Sequence, residues 1–249
     1  MKKVSVILPV FNQEKYLGEA LESLVKQEKW GREEAGERSW RKGEIIIIND
    51  GSSDKTREII VSFRDKLPIK LIEHEENLGL AKSLNEGLAT AQGEFIARMD
   101  GDDKMTSDRL RRELDFLEKN KEIDLVGGRI RIFNENGYGG EAKLLPQNDQ
   151  EIKRAMLSYC ALMHPTLMWR RSWQEKVGFH YLEDECWRGA EDYATWLYFL
   201  DKMTLANLPE ILLDYRQHQE QVSYKLAKRQ KRLTRKLKWR ARIKYWRYW

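Results

Sequence analysis

The chain has 249 residues, of which 41% are hydrophobic and 10% aromatic, so it is long enough for one large domain with a buried core. Its net charge is +5, no apolar run approaches the ~20 residues of a membrane-spanning helix, and the apolar stretch 4–10 is too short for a signal peptide. The two cysteines, Cys160 and Cys186, have neither metal-binding nor redox spacing, so we expect reduced thiols in a cytoplasmic protein.

The charge is divided unevenly along the chain. Residues 225–249 contain twelve Lys and Arg and no Asp or Glu. Residues 1–224 carry 33 basic and 40 acidic side chains, a net charge of −7. We therefore predict two parts, a mildly acidic domain over residues 1–222 and a basic, aromatic-rich helical tail over residues 223–249.

Strands and helices alternate in the first half. Apolar, β-branched runs predict strands at residues 4–10, 44–48, 69–73 and 95–99. Helical spacing of apolar residues predicts helices that include residues 17–25, 59–63 and 80–88, and the polar stretch 28–43 is predicted to be a surface loop. The expected cap of the second helix is Ser53 or Asp54. This alternation predicts an α/β fold, with a Rossmann-like, mostly parallel central sheet flanked by helices.

An acidic turn follows the fourth strand. The apolar run 95–99 ends in Asp100, Gly101, Asp102 and Asp103. Gly101 allows a tight turn, so that Asp100 and Asp102 can point to the same side. Like charges at this spacing repel one another unless a cation or ligand offsets them, and oxygen ligands suit Mg²⁺ or Mn²⁺. The alternative is an ordinary turn with Asp103 in solvent.

Three loops are expected at one edge of the sheet. They follow Val10, Ile48 and Met99, at the carboxyl ends of predicted parallel strands, where ligands of such sheets bind. This arrangement predicts that Asp50 lies together with Asp100 and Asp102.

The second half is less regular. Ser107 is the predicted cap of a helix that contains Leu110 and Leu117, and residues 123–133 read as a strand. A Gly- and Asn-rich loop is predicted at 134–140, a helix near 150–157 and a short strand at 167–169. A further helix opens at residues 189–192, and two short extended stretches follow around Leu205 and Leu212.

Seven motifs occur in an order typical of one family. The chain resembles glycosyltransferase family 2, whose catalytic domain has the GT-A fold, from Val4 to about Ser223. The motifs are Pro9-Val10-Phe11-Asn12, Asn49-Asp50-Gly51-Ser52-Ser53-Asp54, Asn77-Leu78-Gly79-Leu80, Asp100-Gly101-Asp102-Asp103, His164-Pro165-Thr166, Glu191-Asp192-Tyr193 and Tyr215-Arg216-Gln217-His218.

The resemblance implies a metal-dependent, inverting transferase. Such an enzyme moves a sugar from a nucleotide-sugar donor, most often a UDP-sugar, to a hydroxyl of a glycan or lipid-linked acceptor, with Mn²⁺ or Mg²⁺ as cofactor. The Gln-X-X-Arg-Trp motif of the family's polymerising members is absent from the sequence, so we expect a non-processive enzyme. Membrane association of the basic tail would fit a lipid-linked acceptor or the synthesis of an envelope polysaccharide.

The resemblance also assigns roles to individual residues. Asp192 would be the general base, with Glu191 as the alternative, and Asp102 and His218 would hold the metal. His164 would lie on the acceptor side. The residues that would contact the nucleotide sugar are Pro9, Val10, Phe11, Asn12, Asp50, Lys82, Asp100 and Gly101.

Structural alternatives stay open for several of these residues. Asp54 is expected to cap a helix rather than bind a ligand, and Asp192 could simply place charge at a helix N-terminus. His164 could be a buried structural histidine and His218 a surface one. The alternative for the whole chain is a non-catalytic nucleotide-sugar-binding or scaffold protein with a membrane-docking tail.

The tail combines basic and aromatic residues. One helical face carries Leu233, Leu237 and Tyr245, whereas Trp239 and Ile243 lie on the other side among Lys and Arg. This pattern favours an anionic membrane surface as partner, at the inner face of the cytoplasmic membrane, and nucleic acid is not expected. The alternatives are a basic helix docked on its own domain and a protein-binding tail.

Overall fold

The computed structural model describes residues 3–27, 43–141 and 144–245, so most of the predicted loop 28–43 lies outside the described residues. The strands within these ranges are β1 (Val4–Val10), β2 (Gly43–Asn49), β3 (Ile69–Glu73), β4 (Phe95–Arg98), β5 (Lys104–Met105), β6 (Leu125–Asn134), β7 (Gly137–Glu141), β8 (Met168–Arg170) and β9 (Leu205–Arg216). The α-helices are α1 (Leu17–Val25), α2 (Thr56–Ser62), α3 (Leu80–Thr90), α4 (Arg109–Lys119), α5 (Asp149–Met156), α6 (Arg171–Val177), α7 (Glu191–Phe199), α8 (Val222–Lys225) and α9 (Ala227–Lys244). Short 3₁₀ turns occur at His164–Thr166, Glu185–Trp187 and Leu200–Lys202.

All of these strands belong to one sheet. Its order is β3-β2-β1-β4-β8-β6-β9-β5, with β7 paired to β6. Strands β3, β2, β1 and β4 are mutually parallel, as the alternation of strands and helices predicts. Beyond β4 the pairing is mixed, because β8 is antiparallel to both β4 and β6 whereas β6 and β9 are parallel.

The burial of strand β2 shows that helices cover the sheet on both faces. Its four isoleucines are fully buried, and they alternate between the two faces. Ile45 and Ile47 pack in a core with residues of α1 and α2, and Ile46 and Ile48 pack in a second core with residues of α3 and α7. Burial on both faces is the pattern of a parallel sheet between two helical layers. The α/β fold with flanking helices is confirmed.

Two predictions for the second half are wrong. The extended stretches around Leu205 and Leu212 form one strand, β9, whose register with β6 shifts near Pro209. A bulge accommodates the proline without ending the strand. Part of the predicted loop 134–140 is the strand β7, which forms a hairpin with β6.

The predicted helix caps also differ. Helix α4 begins at Arg109 with Asp108 as N-cap residue, so Ser107 is not its cap. Helix α2 begins at Thr56 after Lys55, so neither Ser53 nor Asp54 occupies the N-cap position. Helix α6 was not predicted, because its seven residues contain few regularly spaced apolar positions.

Helix α9 packs against the body of the protein. Leu233, Leu237, Ala241 and Tyr245 are buried, and the Tyr245 hydroxyl donates a hydrogen bond of 2.7 Å to the carbonyl of Leu197 in α7. The helix is therefore docked on its own domain through one face, which is one of the alternatives for the tail. None of the helices in the described part of the chain has the length and hydropathy to cross a membrane.

Candidate active site

The loops after β1 and β2 are tied together at the carboxyl edge of the sheet. The Asp50 amide donates to the carbonyl of Val10 at 2.9 Å, and the Asn12 amide donates to Ser52 Oγ at 3.0 Å. The Asn12 side chain accepts from the Ser53 amide at 2.9 Å. Asn12 has a φ of 51°, a left-handed conformation that asparagine tolerates better than most residues. The two loops therefore form one unit.

Gly101 brings the acidic turn against the loop after β1. A Cβ at this position would lie 2.7 Å from Val10 Cγ1, so only glycine allows the turn to approach β1 this closely. The three loops predicted to share one edge of the sheet do adjoin one another.

Asp50 organises the loop that precedes α3. Its Oδ1 accepts from the Leu78 amide at 2.8 Å, and its Oδ2 accepts from the Gly79 amide at 2.9 Å. His74 Nδ1 lies 2.7 Å from Asp50 Oδ1, and His74 Nε2 lies 2.6 Å from a carboxylate oxygen of Glu86. Asp50 is buried, and it is not a member of the carboxylate cluster that Asp100, Asp102 and Asp103 form.

The acidic turn forms a compact carboxylate cluster. One oxygen each of Asp100, Asp102 and Asp103 lies within 4.8 Å of the others. Burial raises the pKa of Asp103 well above its usual range, and repulsion from Asp100 and Asp102 adds to this effect. Burial also raises the pKa of Asp100, although the Arg98 guanidinium opposes it. Asp103 is fully buried, so the interpretation of this residue as a solvated turn residue is wrong.

Each carboxylate of the cluster has a different partner. Asp100 forms an ion pair with Arg98, and Asp102 Oδ2 lies 3.0 Å from His218 Nε2. Asp103 Oδ1 accepts a hydrogen bond of 2.9 Å from the Arg216 amide, while its Oδ2 is buried without a hydrogen-bond partner among the described residues. Strand β9 and the segment after it thus contribute to a cluster that begins at β4.

This donor set fits a divalent cation. Carboxylate oxygens with one imidazole suit Mg²⁺ or Mn²⁺. Adjacent ligands of an octahedral ion at about 2.1 Å would be about 3 Å apart, and Asp102 Oδ2 and His218 Nε2 have a separation of 3.0 Å. The unpartnered Asp103 Oδ2 is a buried acceptor that a cation would satisfy.

Asp192 lies near this cluster, at the start of α7. Its Oδ1 accepts a hydrogen bond of 2.7 Å from the Tyr193 amide. Burial raises the pKa of Asp192, and the charges of Arg98 and Asp100 are close enough to act on it in opposite directions. Glu191 instead accepts a hydrogen bond of 2.7 Å from the Gly189 amide, just before the helix.

Sequence reasoning missed Arg98. Its side chain is only 2% exposed, and its Nε and Nη1 have no hydrogen-bond partner among the described residues. The charge of Arg98 acts on Asp100, Asp192 and His164. An arginine within an otherwise apolar strand is the signal that could have identified it, because a buried cation needs nearby anions.

The remaining predicted site residues occupy varied surroundings. His164 is buried, its Nε2 lies 2.8 Å from the Tyr181 hydroxyl, and burial lowers its pKa well below the usual range, which favours the structural alternative. Pro9 and Val10 are buried, Phe11 is 44% exposed and Lys82 is exposed on α3. A cleft of about 920 Å³ borders His218, lined by residues 134–136 and 215–221 together with Tyr16 and Tyr224.

Comparison with known proteins identifies the family. Residues 5–178 match the model of glycosyl transferase family 2. An uncharacterized glycosyltransferase of Haemophilus influenzae is 32% identical over 98% of this chain and 74% of its own length. The solved structure of S. aureus TarS 1–349 in complex with UDP-GlcNAc superposes with a TM-score of 0.71 at 24% identity, over 88% of this chain and 60% of TarS 1–349.

A second solved structure supports the same fold. The mannosyltransferase PcManGT from Pyrobaculum calidifontis, in complex with GDP-Man and Mn²⁺, superposes with a TM-score of 0.68 at 17% identity, over 97% of this chain and 64% of PcManGT. These similarities establish the fold as GT-A type. With the family match covering more than half of its residues, the chain belongs to glycosyl transferase family 2 and is a glycosyltransferase.

Proposed function

We propose that the protein is a metal-dependent, inverting, non-processive transferase that moves a sugar from a nucleotide-sugar donor, a UDP-sugar, to a hydroxyl of a glycan or lipid-linked acceptor. The observation that carries the proposal is the carboxylate cluster Asp100, Asp102 and Asp103, whose charge at Asp100 also acts on Asp192. TarS and PcManGT, which share the fold, were solved with UDP-GlcNAc and with GDP-Man and Mn²⁺, and this supports a nucleotide-sugar donor.

The donor nucleoside would lie against the joined loops after β1 and β2. Exposed Phe11 offers an apolar surface, and Asn12 shapes the loop beside it. Asp50 Oδ2 accepts a single hydrogen bond from the protein, so it retains a lone pair for an N–H group of the base. Lys82, exposed on α3, would supply positive charge for base or phosphate.

Asp100, Asp102 and His218 would hold Mn²⁺ or Mg²⁺. The Oδ2 of Asp103, which has no hydrogen-bond partner among the described residues, would interact with the same cation. When bound, the cation supplies Lewis-acid stabilisation of the negative charge that grows on the leaving diphosphate. Asp100 is held by the ion pair with Arg98, so its orientation is set before the donor arrives. At ~4 Å, one pair of unit charges at a dielectric of 20 contributes about 4 kcal/mol, enough to change a rate substantially.

Asp192 would accept the proton of the attacking acceptor hydroxyl. Its raised pKa makes it a stronger base than an ordinary aspartate, and its position at the N-terminus of α7 helps to keep it ionised. Asp192 and Glu191 each accept one hydrogen bond from a backbone amide, so Glu191 stays the alternative base. The charges of Arg98 and Asp100 act on Asp192, and this favours Asp192 as the base. A single displacement needs only one base and inverts the anomeric carbon.

The proposal also includes the bounds of the two parts of the chain and the location of the enzyme in the cell. Residues 1–222 would form the catalytic domain and residues 223–249 the basic tail. The enzyme would act in the cytoplasm, peripherally at the inner face of the cytoplasmic membrane, in the synthesis of an envelope polysaccharide.

A donor screen tests the proposal. The protein is incubated with a panel of nucleotide sugars and Mn²⁺, Mg²⁺ or EDTA, and released nucleoside diphosphate is measured. We expect release from one donor class, dependent on the divalent ion. Binding of a nucleotide sugar without any release, with all acceptors tried, would instead support the non-catalytic binding protein.

A further inference from the structure

Helix α9 has two different faces, and only one of them is used in the fold. Leu233, Leu237, Ala241 and Tyr245 are buried against the body of the protein, at four-residue intervals. The docking of α9 therefore does not require the opposite face, and residues on that face are available to a partner.

The opposite face exposes large apolar side chains. Trp239 is 65% exposed and Ile243 is 59% exposed, and their four-residue spacing puts them side by side on one helix face. Leaving such side chains in water is unfavourable, and a paired tryptophan and isoleucine on a docked helix indicate a contact surface.

A dense basic field surrounds these two side chains. Arg232, Arg235 and Lys236 are exposed at seven, four and three residues before Trp239, on the same side of α9, whereas the exposed Arg240 and Lys244 line the groove toward the body of the protein. Residues 225–249 contain no acidic side chain, and the charge of Asp184 on the body of the protein interacts with Lys236. Aromatic side chains amid Lys and Arg are the composition of helices that lie in a membrane interface.

The groove beside α9 repeats this combination of apolar and basic character. It has a volume of about 620 Å³ and lies between α9, α7 and residues 180–187, with Leu197, Leu237 and Ala241 in its wall. Arg240 and Lys244 of α9 also line it, and the Arg240 guanidinium lies 5.5 Å from the ring centre of Trp187. Glu183 and Asp184 also line the groove, so its apolar wall and the cations on the α9 side are the part that complements a phospholipid, which has an acyl chain and a phosphate.

We propose that the outer face of α9 docks on an anionic phospholipid bilayer, with Trp239 and Ile243 inserted among the acyl chains and the surrounding Lys and Arg against lipid phosphates. Basic residues near an anionic leaflet each contribute attraction, and inserted apolar side chains add to it. Nucleic acid would attract the same cations, but the exposed tryptophan–isoleucine pair and the apolar groove favour a lipid. The inference rests on the peripheral membrane location in the proposed function and names the surface responsible, but it uses no residue of the sugar-transfer site, so vesicle flotation can fail or succeed independently of sugar transfer.

Vesicle flotation of the full chain tests this surface. The protein is mixed with vesicles of phosphatidylcholine and phosphatidylglycerol, or of phosphatidylcholine alone, and the floating fraction is measured at low and high salt. We expect flotation with the anionic vesicles only, and weaker flotation at high salt because salt screens exposed charges.

Paired variants separate the apolar contribution. Trp239→Ser with Ile243→Ser keeps every charge of α9 and should lower the partition coefficient at least tenfold. The matched control, Val61→Ser with Leu144→Ser, removes two exposed apolar side chains away from α9 and should leave it unchanged.

A second pair separates the basic contribution. Arg232→Gln with Arg235→Gln should weaken flotation severalfold and reduce its salt dependence, whereas Lys26→Gln with Lys70→Gln, exposed elsewhere, should not. Circular dichroism verifies that each variant is folded. The proposal would be contradicted by equal flotation with neutral vesicles or by no flotation with either composition. Equal effects of the α9 variants and their controls would contradict it too. Binding to RNA without binding to anionic vesicles would contradict it as well.

Discussion

At the scale of single residues, His74 connects Asp50, in the loop after β2, to Glu86 in α3. Its imidazole lies between the carboxylates of Asp50 and Glu86, at 2.7 and 2.6 Å, and its side chain is 6% exposed. Burial on its own lowers the pKa of His74, but hydrogen bonds to the two carboxylates outweigh it and raise the pKa. A protonated imidazole donates to both carboxylates, which a neutral one cannot do.

The replacement His74→Gln should therefore destabilise the protein in a pH-dependent way. A raised folded-state pKa gives a contribution that is fully present below the unfolded value of 6.5 and is lost as pH rises through the folded pKa. Urea unfolding at about pH 6 and about pH 9 should show a loss of about 1–3 kcal/mol at the lower pH and a smaller loss at the higher pH. Equal losses at both pH values would show that the charge of His74 is not involved.

The activity of the enzyme should report the pKa of Asp192. Burial raises this pKa above the ordinary value of 3.8, and a general base must be ionised to accept a proton. As pH falls through the raised pKa, the rate should fall with it. The measurement is kcat/KM against pH, and an acid limb at or below the ordinary value for aspartate would exclude Asp192 as the base.

Contacts between residues that are far apart in the sequence limit what can be predicted at this scale. Asp100 and Asp102 could be identified from an apolar run that ends in carboxylates. The burial of Asp103 could not, since it depends on the Arg216 amide more than a hundred residues away. Asp54 likewise accepts from the Thr56 amide at 3.0 Å and from the Glu14 amide at 2.9 Å, so it joins two segments in addition to bracing its own turn.

At the scale of elements, the site depends on how closely the loops at the strand ends approach. Gly51, between β2 and α2, has a φ of +72°, and a Cβ there would lie 2.4 Å from the backbone carbon of Glu76. The loop that carries Asp50 and the segment before α3 can adopt this arrangement only with glycine at position 51.

Gly51→Ala should consequently lower the free energy of unfolding by about 3 kcal/mol or more, because backbone strain and a backbone clash each cost about 1–3 kcal/mol and add together. Gly18 in α1 is the matched control, since a Cβ there meets no atom within 4 Å. Gly18→Ala should stabilise the protein by up to about 1 kcal/mol. Chemical denaturation of both variants measures the contrast, and similar effects would disprove the close approach.

The predictability of each element follows from its surroundings. Strands β1, β2 and β4 were predictable because burial on both faces leaves continuous apolar runs, whereas the edge strand β3 alternates with exposed Lys70 and Glu73. Strand β9 was not predicted as one element, since Pro209 and a register shift interrupt its pattern, and β7 contains three glycines among five residues. Pairing with β6, which the local sequence does not encode, makes both of them strands.

At the scale of the whole molecule, the site joins two halves of the chain. The parallel half supplies Asp50 and the carboxylate cluster, and the mixed half supplies Asp192 and His218. The family could be identified from the sequence because its motifs occur in a characteristic order. Their contacts depend on long-range packing, so the partners of Arg98 and Asp103 had to come from the structure.

Ligand-linked stability should reveal the cation site. A nucleoside diphosphate bound with Mn²⁺ at one hundred times its Kd stabilises the folded state by about 2.7 kcal/mol. UDP with Mn²⁺ should thus raise the Tm of the wild-type protein by several degrees, and EDTA should abolish the rise. Asp102→Asn should unfold at nearly the same temperature without ligand and show no Mn²⁺-dependent rise. A rise that is independent of Mn²⁺ would contradict this assignment.

The most direct test of the account compares the turnover of Asp192→Asn and Glu191→Gln, with donor binding measured for both. If the carboxylate cluster holds the donor and Asp192 takes the acceptor's proton, Asp192→Asn binds donor normally and loses at least ~10²-fold in kcat, while Glu191→Gln keeps most of its activity. Wild-type turnover by Asp192→Asn would contradict the account.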